Sequence, residues 1–482
     1  MQQMINDIPS KSRTGGADLG VLGLGVMGAM LALNFAERGF NVALYNRTPG
    51  KAQKLREENE ELAPRLHPQD GVEAFVKSLA VPRVILLMVN AGAPVDEQLA
   101  VLREMLDPGD IVIDAGNTDF NDTRARNDRF AGTGIHFVGM GVSGGELGAR
   151  HGPSIMVGGD PAVWRRLRPL LEPIAAKYDG SPCVAWLGKD GAGHFVKTIH
   201  NGIEYADMQM IAEIYAIMRD GIGLGAPEMA GIFARWNKGG LSSYLIEISS
   251  VVLAETDKDT GKPLVDLIVD EAGQKGTGRW SVIEAQKLGV GATTLEAAVA
   301  ARGLSSARAQ RAEAGRVYDI ALPKPFGHED VALLESALEA AKIVAYAQGY
   351  AILQAASDEY GWDLPMGEIA RIWRAGCIIR SVFLQDIMQA YEQDGHKGNL
   401  LLYPAFAARM KATEASLRKT VARAAVAGIA APALGSALAY FDDMRRARGA
   451  ANLIQGQRDY FGAHTFRRLD REGVFHHHWP AI

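Results

Sequence analysis

The chain has 482 residues, 48% hydrophobic and 22% charged, enough for roughly three units at about 150 residues per domain and unlike a disordered, collagenous or coiled-coil chain. Its 51 Lys and Arg against 56 Asp and Glu give a net charge of -5, so the overall field does not favour nucleic acid and an anionic ligand must be met by local cations. The two cysteines, Cys183 and Cys377, give neither a disulfide framework nor a zinc spacing, and the opening MQQMINDIPSKSRTGGAD lacks the apolar core of a signal peptide, so a reducing cytoplasm is expected.

Leu19 to Leu22, Asn41 to Tyr45, Val84 to Val89, Ile111 to Asp114 and His136 to Val138 are apolar or β-branched runs bounded by Gly, Pro, Asn or Asp. The lengths between them can hold helices, which predicts a parallel α/β sheet. From about Gly191 the strand signal fades and long helical patterns take over, among them Glu329 to Tyr360 and Ala405 to Val426. Ala424 to Phe441 carries no charge and is about as long as the shortest bilayer span, but Gly428, Pro432, Gly435 and Ser436 interrupt it. Buried helix packing around a break is expected there, not a membrane span. From Gly449 the chain is rich in Arg, Phe, His and Gly with little periodicity, and reads as a tail that must pack on something else.

Gly23, Gly25 and Gly28 form G-x-G-x-x-G directly after the first strand, and a helical run, Val26 to Arg38, follows. The first glycine allows a tight turn, the second lets a pyrophosphate approach the backbone, and the third permits close packing of helix on strand. At the end of the second strand an acid would bind a ribose 2'-hydroxyl; this chain has Asn46, Arg47 and Thr48, with Lys51 one turn on. A guanidinium that pairs with a 2'-phosphate and stacks on adenine favours NADP over NAD. The expected architecture is an α/β, Rossmann-like NADP-binding domain at 1–190, a large all-α substrate and dimerisation domain at 191–448, and an irregular C-terminal tail at 449–482.

Between Gly193 and Met210, a helix with apolar faces carries Lys197, His200, Asn201, Glu204 and Tyr205 at i, i+3, i+4, i+7 and i+8, on one face. Such a stripe is ordinarily the wet side of a surface helix. Here it follows a glycine-rich entry just after the nucleotide domain, and its residue types suit proton transfer to and from a polyhydroxylated substrate.

These residues, with GLGVMG (23–28), NRT (46–48), DAGNTDF (114–120), GMGVSGGELGARHGPSIMVGG (139–159), DGAGHFVKTIHNGIEYADMQ (190–209), GQKGTGRW (273–280), RGLSS (302–306) and LIQGQRDYFGAHTF (453–466), resemble the decarboxylating 6-phosphogluconate dehydrogenases over nearly the whole chain. The resemblance implies metal-free, NADP-linked oxidation of 6-phosphogluconate to ribulose 5-phosphate, CO2 and NADPH, a step of the pentose phosphate pathway. It implies Lys197 as base, Glu204 as acid and Asn201 beside them as the third catalytic residue. For this Lys197 must start neutral, which partial burial and a neighbouring positive charge would favour. Sugar and carboxylate contacts are expected from Asn117, Ser143, Gly144, Gly145, Lys197, His200, Asn201 and Glu204. The phosphate cluster is expected from Tyr205, Lys275, Thr277, Arg302 and Arg458, with His464 as a further substrate contact. On the cofactor side the expected residues are Gly23, Gly25, Val26, Met27, Gly28, Asn46, Arg47, Thr48, Lys51, Met88, Val89, Asn90 and Asn117. The resemblance also implies a homodimer in which Arg458 and His464 come from the neighbouring subunit.

Asn90 stands where many members of that family have Lys, and Arg279 replaces a common Lys. The final FHHHW matches the family tail; adjacent histidines in a strand point to opposite faces, which disfavours a metal site. Two other readings remain open on sequence: a β-hydroxyacid dehydrogenase acting on an unphosphorylated hydroxy acid, and a nonenzymatic NADPH-binding protein.

Overall fold

The computed structural model describes residues 16–274, 276–393 and 398–480. Its first half is built on strands β1 (Leu19–Leu22), β2 (Val42–Tyr45), β3 (Leu66–Pro68), β4 (Val84–Leu87), β5 (Ile111–Asp114), β6 (His136–Ser143) and β7 (Ser154–Val157). Strands β8 (Lys177–Tyr178) and β9 (Ser181–Pro182) form a separate hairpin, and β10 (Val184–Trp186) rejoins the main sheet. The sheet order is β10-β7-β6-β5-β4-β1-β2-β3. Every neighbouring pair runs parallel except β6 and β7, so the expected parallel sheet holds from β3 to β6 and is interrupted beyond it. All four residues of β1, β4 and β5 are buried, as continuous apolar runs covered on both faces should be.

Beyond β10 the described chain is helical. A 25-residue helix, Ala192–Ala216, is buried on nearly every side and packs against a second, 30-residue helix, Val331–Tyr360. A helix buried on nearly every side belongs in a core even where it carries a polar stripe, and this one is the axis on which the helical half is assembled. Its entry is fastened to the sheet half by aromatic contacts: Phe120 and Phe195 meet edge to face at 4.9 Å, Phe195 and Trp362 lie 5.4 Å apart, and Trp362 Nε1 donates to Asp190 at 3.0 Å. Each fully buried Phe contributes about 1.5–3 kcal/mol by leaving water.

The helices Pro404–Val426 and Pro432–Met444 flank the break expected in the charge-free segment, and among the described residues no helix is long and apolar enough to cross a membrane. The tail departs from expectation. It contains a regular helix, Ala451–Gly462, in which Asp459 is the buried residue. Its apolar residues, Leu453, Ile454, Tyr460 and Phe461, share one face by their spacing but are exposed on the single chain.

Candidate active site

The parallel strands β1, β2, β4 and β5 end on the same edge of the sheet, and strand order reverses about β1; nucleotide sites in such sheets form there. Gly23 has φ +96°, and a Cβ on Gly28 would fall 2.0 Å from the Gly23 carbonyl, so both positions exclude larger residues. Gly25 has open space around it, and the helix Val26–Glu37 begins there without a side-chain cap, leaving its first N–H groups for a pyrophosphate. Asn46 Oδ1 accepts from Leu24 N at 2.9 Å and ties the glycine turn to the end of β2. Arg47 and Thr48 are exposed beside it and Lys51 opens the next helix, Lys51–Glu57. Val26 is exposed and Met27 half-buried at the helix start; Met88 and Val89 are half-buried and Asn90 exposed after β4, and Asn117 is exposed after β5. The absence of a carboxylate at the end of β2, with an exposed guanidinium in its place, fits a cofactor bearing a 2'-phosphate.

The loops carrying Asn90 and Asn117 share one buried anchor. Arg126 donates to the Gly92 carbonyl at 3.1 Å, to Asp96 at 3.1 and 2.9 Å, and to Asp114 at 3.4 Å. The fully buried Asp114 carboxylate accepts in turn from Gly116 N at 3.0 Å and Thr118 Oγ1 at 2.7 Å, on either side of Asn117. Arg126→Met strands Asp114 without its cation and is expected to destabilise the protein by about 3–5 kcal/mol. Urea unfolding of the variant beside the parent checks this.

The central helix places its polar stripe against the end of β6. A Cβ on Gly141 would meet Lys197 Cβ at 2.5 Å, so glycine there lets the lysine seat on the strand. The Lys197 amine hydrogen-bonds Asn201 Oδ1. His200 Nδ1 lies 3.2 Å from the same oxygen, and its Nε2 lies 3.2 Å from Ser143 Oγ. With the proton on Nδ1, the imidazole donates to Asn201 and accepts from Ser143. Asn201 Nδ2 donates to Thr277 Oγ1 at 2.7 Å, linking the helix Thr277–Lys287 to the network. Glu204 lies two turns beyond Lys197, with a carboxylate oxygen 3.7 Å from His200 Nδ1.

Burial lowers the Lys197 pKa below the ordinary lysine value, and pushes the Glu204 carboxyl above the ordinary glutamate value against the pull of Lys197 and Arg302. Burial likewise holds His200 well below the usual imidazole range, assisted by Lys197. The positive neighbour expected to lower Lys197 is not what acts on it: Glu204 pulls its pKa up, and desolvation alone brings it down. Two groups moved toward each other in this way exchange a proton at less cost than the same pair in water.

Gly144 and Gly145 lead from β6 into the helix Gly145–His151. The Arg302 guanidinium lies 3.5 Å from the centroid of the Tyr205 ring and donates to the Gly273 carbonyl at 3.2 Å. Lys275 lies outside the described residues. Arg458 and His464 are exposed on the tail; Arg458 donates to Gln455 Oε1 at 3.1 Å and His464 packs on Phe461. Every hydrogen bond of the described residues 451–480 ends within residues 450–480, so neither side chain is bonded to this chain's own stripe.

The family profile described as the NAD binding domain of 6-phosphogluconate dehydrogenase matches residues 18–188, and that of the 6-phosphogluconate dehydrogenase C-terminal domain matches residues 193–479. The chain belongs to the 6-phosphogluconate dehydrogenase family. The NADP(+)-dependent, decarboxylating 6-phosphogluconate dehydrogenase of Bacillus subtilis (strain 168) is 48% identical over 464 residues, covering 96% of this chain and 98% of that protein. The decarboxylating enzyme of Escherichia coli (strain K12) is 48% identical over the same shares. The solved 6-phosphogluconate dehydrogenase of Plasmodium falciparum, studied in apo form and with NADP+ and 6-phosphogluconate, superposes with a TM-score of 0.93 at 39% identity, covering 96% of this chain and all of that one.

Against this family background, three features of the site were not anticipated from sequence. Arg126 opens the polar run RNDRF (126–130), where nothing local marks it as buried, and its burial depends on Asp114 from a separate strand. Cys377, which marked only the redox compartment, lies near Lys197, and burial pushes its thiol up to about 12, which keeps it neutral. Trp373 stacks edge-on to the His200 ring at 5.5 Å and closes the wall behind the imidazole.

Proposed function

We propose that the chain catalyses oxidative decarboxylation of 6-phospho-D-gluconate to D-ribulose 5-phosphate and CO2, with NADP reduced to NADPH. The observation that carries this reading is the buried stripe, in which an amine lowered by burial and a carboxyl raised by burial share one face of a helix seated on β6 of the nucleotide-binding sheet. Bound NADP supplies the hydride acceptor. Neutral Lys197 takes the proton of the substrate 3-hydroxyl as C3 is oxidised. The 3-keto acid then loses its C1 carboxylate, and the ketone accepts the electron pair as an enol. Lys197, now an ammonium, stabilises the developing oxyanion, and protonated Glu204 delivers a proton to C1. Asn201 holds the amine in place through its Oδ1 and is itself held by Thr277. Ser143, Gly144, Gly145, His200 and Asn117 are assigned to the sugar and carboxylate, and Tyr205, Thr277, Arg302 and Lys275 to the phosphate.

Residues 1–190 are assigned to the cofactor and 191–448 to substrate and assembly, and the tail to a second copy of the chain, whose site receives Arg458 and His464. Support for the last assignment comes from a tail bonded only to itself yet exposing Leu453 at 66% and Phe461 at 72%, apolar surface that a partner subunit would cover. Cys183 and Cys377 are both free and buried, which suits a cytoplasmic enzyme.

The decisive assay follows reduced nicotinamide and trapped CO2 with 6-phosphogluconate; one CO2 per NADPH supports the reading, and turnover of an unphosphorylated hydroxy acid in its place overturns it. Arg47→Ala is expected to raise KM for NADP at least about tenfold, the loss of one charge-assisted pair, while raising KM for NAD far less. Equal losses with both cofactors would remove the guanidinium from the 2'-phosphate.

A further inference from the structure

The FHHHW motif at the end of the chain is used by neither the cofactor nor the stripe. In the structure it closes on a single acid. Asp459 is 0% exposed although it lies in a segment exposed nearly throughout, and four donors converge on its carboxylate. Oδ1 accepts from Thr465 N at 2.9 Å and lies 3.0 Å from His476 Nδ1; Oδ2 accepts from His477 N at 3.0 Å and Trp479 Nε1 at 2.9 Å. The histidine run therefore serves as one imidazole and one amide donor to a carboxylate, and among the described residues no group of His, Cys, Asp and Glu is arranged to hold a metal.

What these bonds fasten is the geometry around Arg458 and His464. Asp459 follows Arg458 directly, and its backbone carbonyl accepts from Ala463 N at 3.0 Å, ending the helix Ala451–Gly462. Ala463 and Thr465, either side of His464, hold φ of 46° and 62°, a conformation unfavourable to residues with a Cβ. The Thr465 amide bonded to Asp459 maintains that turn. The chain then pairs Phe466 with Phe475 in an antiparallel bridge and returns to the carboxylate through His476 to Trp479. Gln455 spans the same turn, accepting from Arg458 at one end of its amide and donating to the Thr465 carbonyl at the other. A flexible tail would lose more conformational entropy on docking than one already folded.

We propose that Asp459 is a positioning residue for substrate binding: it folds the tail into a rigid hook before assembly, so that Arg458 and His464 reach the partner subunit's phosphate site in one fixed relation. The inference rests on the cross-subunit reading above.

Asp459→Asn tests it in the full-length protein. An amide nitrogen facing two donors breaks half of the convergence while keeping shape and volume. The expected result is a KM for 6-phosphogluconate raised at least tenfold, with KM for NADP unchanged and the sedimenting mass unchanged. In a mutant cycle, adding Asp459→Asn to a variant that already carries Arg458→Ala and His464→Ala should then bring little further loss, because Asp459 acts through those two contacts. A role confined to tail stability would lower mass or melting temperature without the selective KM change, and that outcome overturns the proposal. Should Asp459→Asn fail to fold, Trp479→Phe removes a single donor and is expected to give a smaller rise of the same kind; an unchanged KM there also overturns it. If instead Arg458→Ala itself leaves KM for 6-phosphogluconate unchanged, the cross-subunit assignment of Arg458 falls, a result distinct from the failure of Asp459.

Discussion

Lys197→Met is expected to abolish NADPH formation and CO2 release together, with kcat/KM lower by at least about 10³-fold, which corresponds to about 4 kcal/mol of transition-state stabilisation. General-base catalysis alone accounts for about 10²–10⁴-fold, and the same amine also stabilises the oxyanion formed on decarboxylation. Methionine suits the test: it is unbranched, a good helix former, and fills the volume of a side chain only 7% exposed. The loss should therefore be chemical, with far-ultraviolet circular dichroism and binding of 6-phosphogluconate by calorimetry little changed. Retention of a tenth or more of the parental rate would remove Lys197 from the base role. CO2 release without NADPH would break the order in which oxidation precedes loss of the carboxylate.

The stripe was legible because a helix has a fixed period: polar groups at i, i+3, i+4, i+7 and i+8 in an apolar run have one geometric meaning, and the structure gathers Lys197, His200, Asn201 and Glu204 as that period requires. The glycine turn was legible because each glycine has a separate steric duty. Other parts of the fold carry no such local mark. Leu66–Pro68 is a strand of three residues ending in proline, tolerable at the sheet edge where one side needs no partner. Strand β6 runs on from Val138 to Ser143 through two glycines, a sequence with little strand propensity of its own; it is held extended by antiparallel pairing with β7. The tail helix buries an acid and leaves Leu453, Ile454 and Phe461 exposed, so its apolar residues mark no core within the chain itself. Lys197 shows the limit for electrostatics: a lowered pKa was required by the chemistry, but whether charge or burial produced it depended on packing from β6 and the Trp373 region, remote in sequence.

Glu204→Gln should separate the steps that Lys197→Met abolishes together. Oxidation and decarboxylation need the amine and not the carboxyl, so each site is expected to yield one burst of NADPH and CO2. Steady-state turnover then falls by about 10²-fold or more, the range for a lost general acid. Rapid-mixing absorbance reads both phases, and full steady-state turnover would exclude Glu204 as the acid. The pH dependence follows from the direction of each shift. Lys197 acts when neutral, so the burst rate rises with pH through its pKa, which burial places below the ordinary lysine value of 10.5. Glu204 acts when protonated, so parental turnover falls as pH rises through a pKa that burial places above 4.5. The Glu204 carboxylate also raises the Lys197 pKa. Glutamine removes that charge, so in the variant the rising limb of the burst rate should move to lower pH than in the parent, while the falling limb due to Glu204 disappears. A rising limb that stays in place or moves upward would mean that the two side chains do not sense each other across the two turns of helix between them, and the proton exchange on which the mechanism depends would have no physical route.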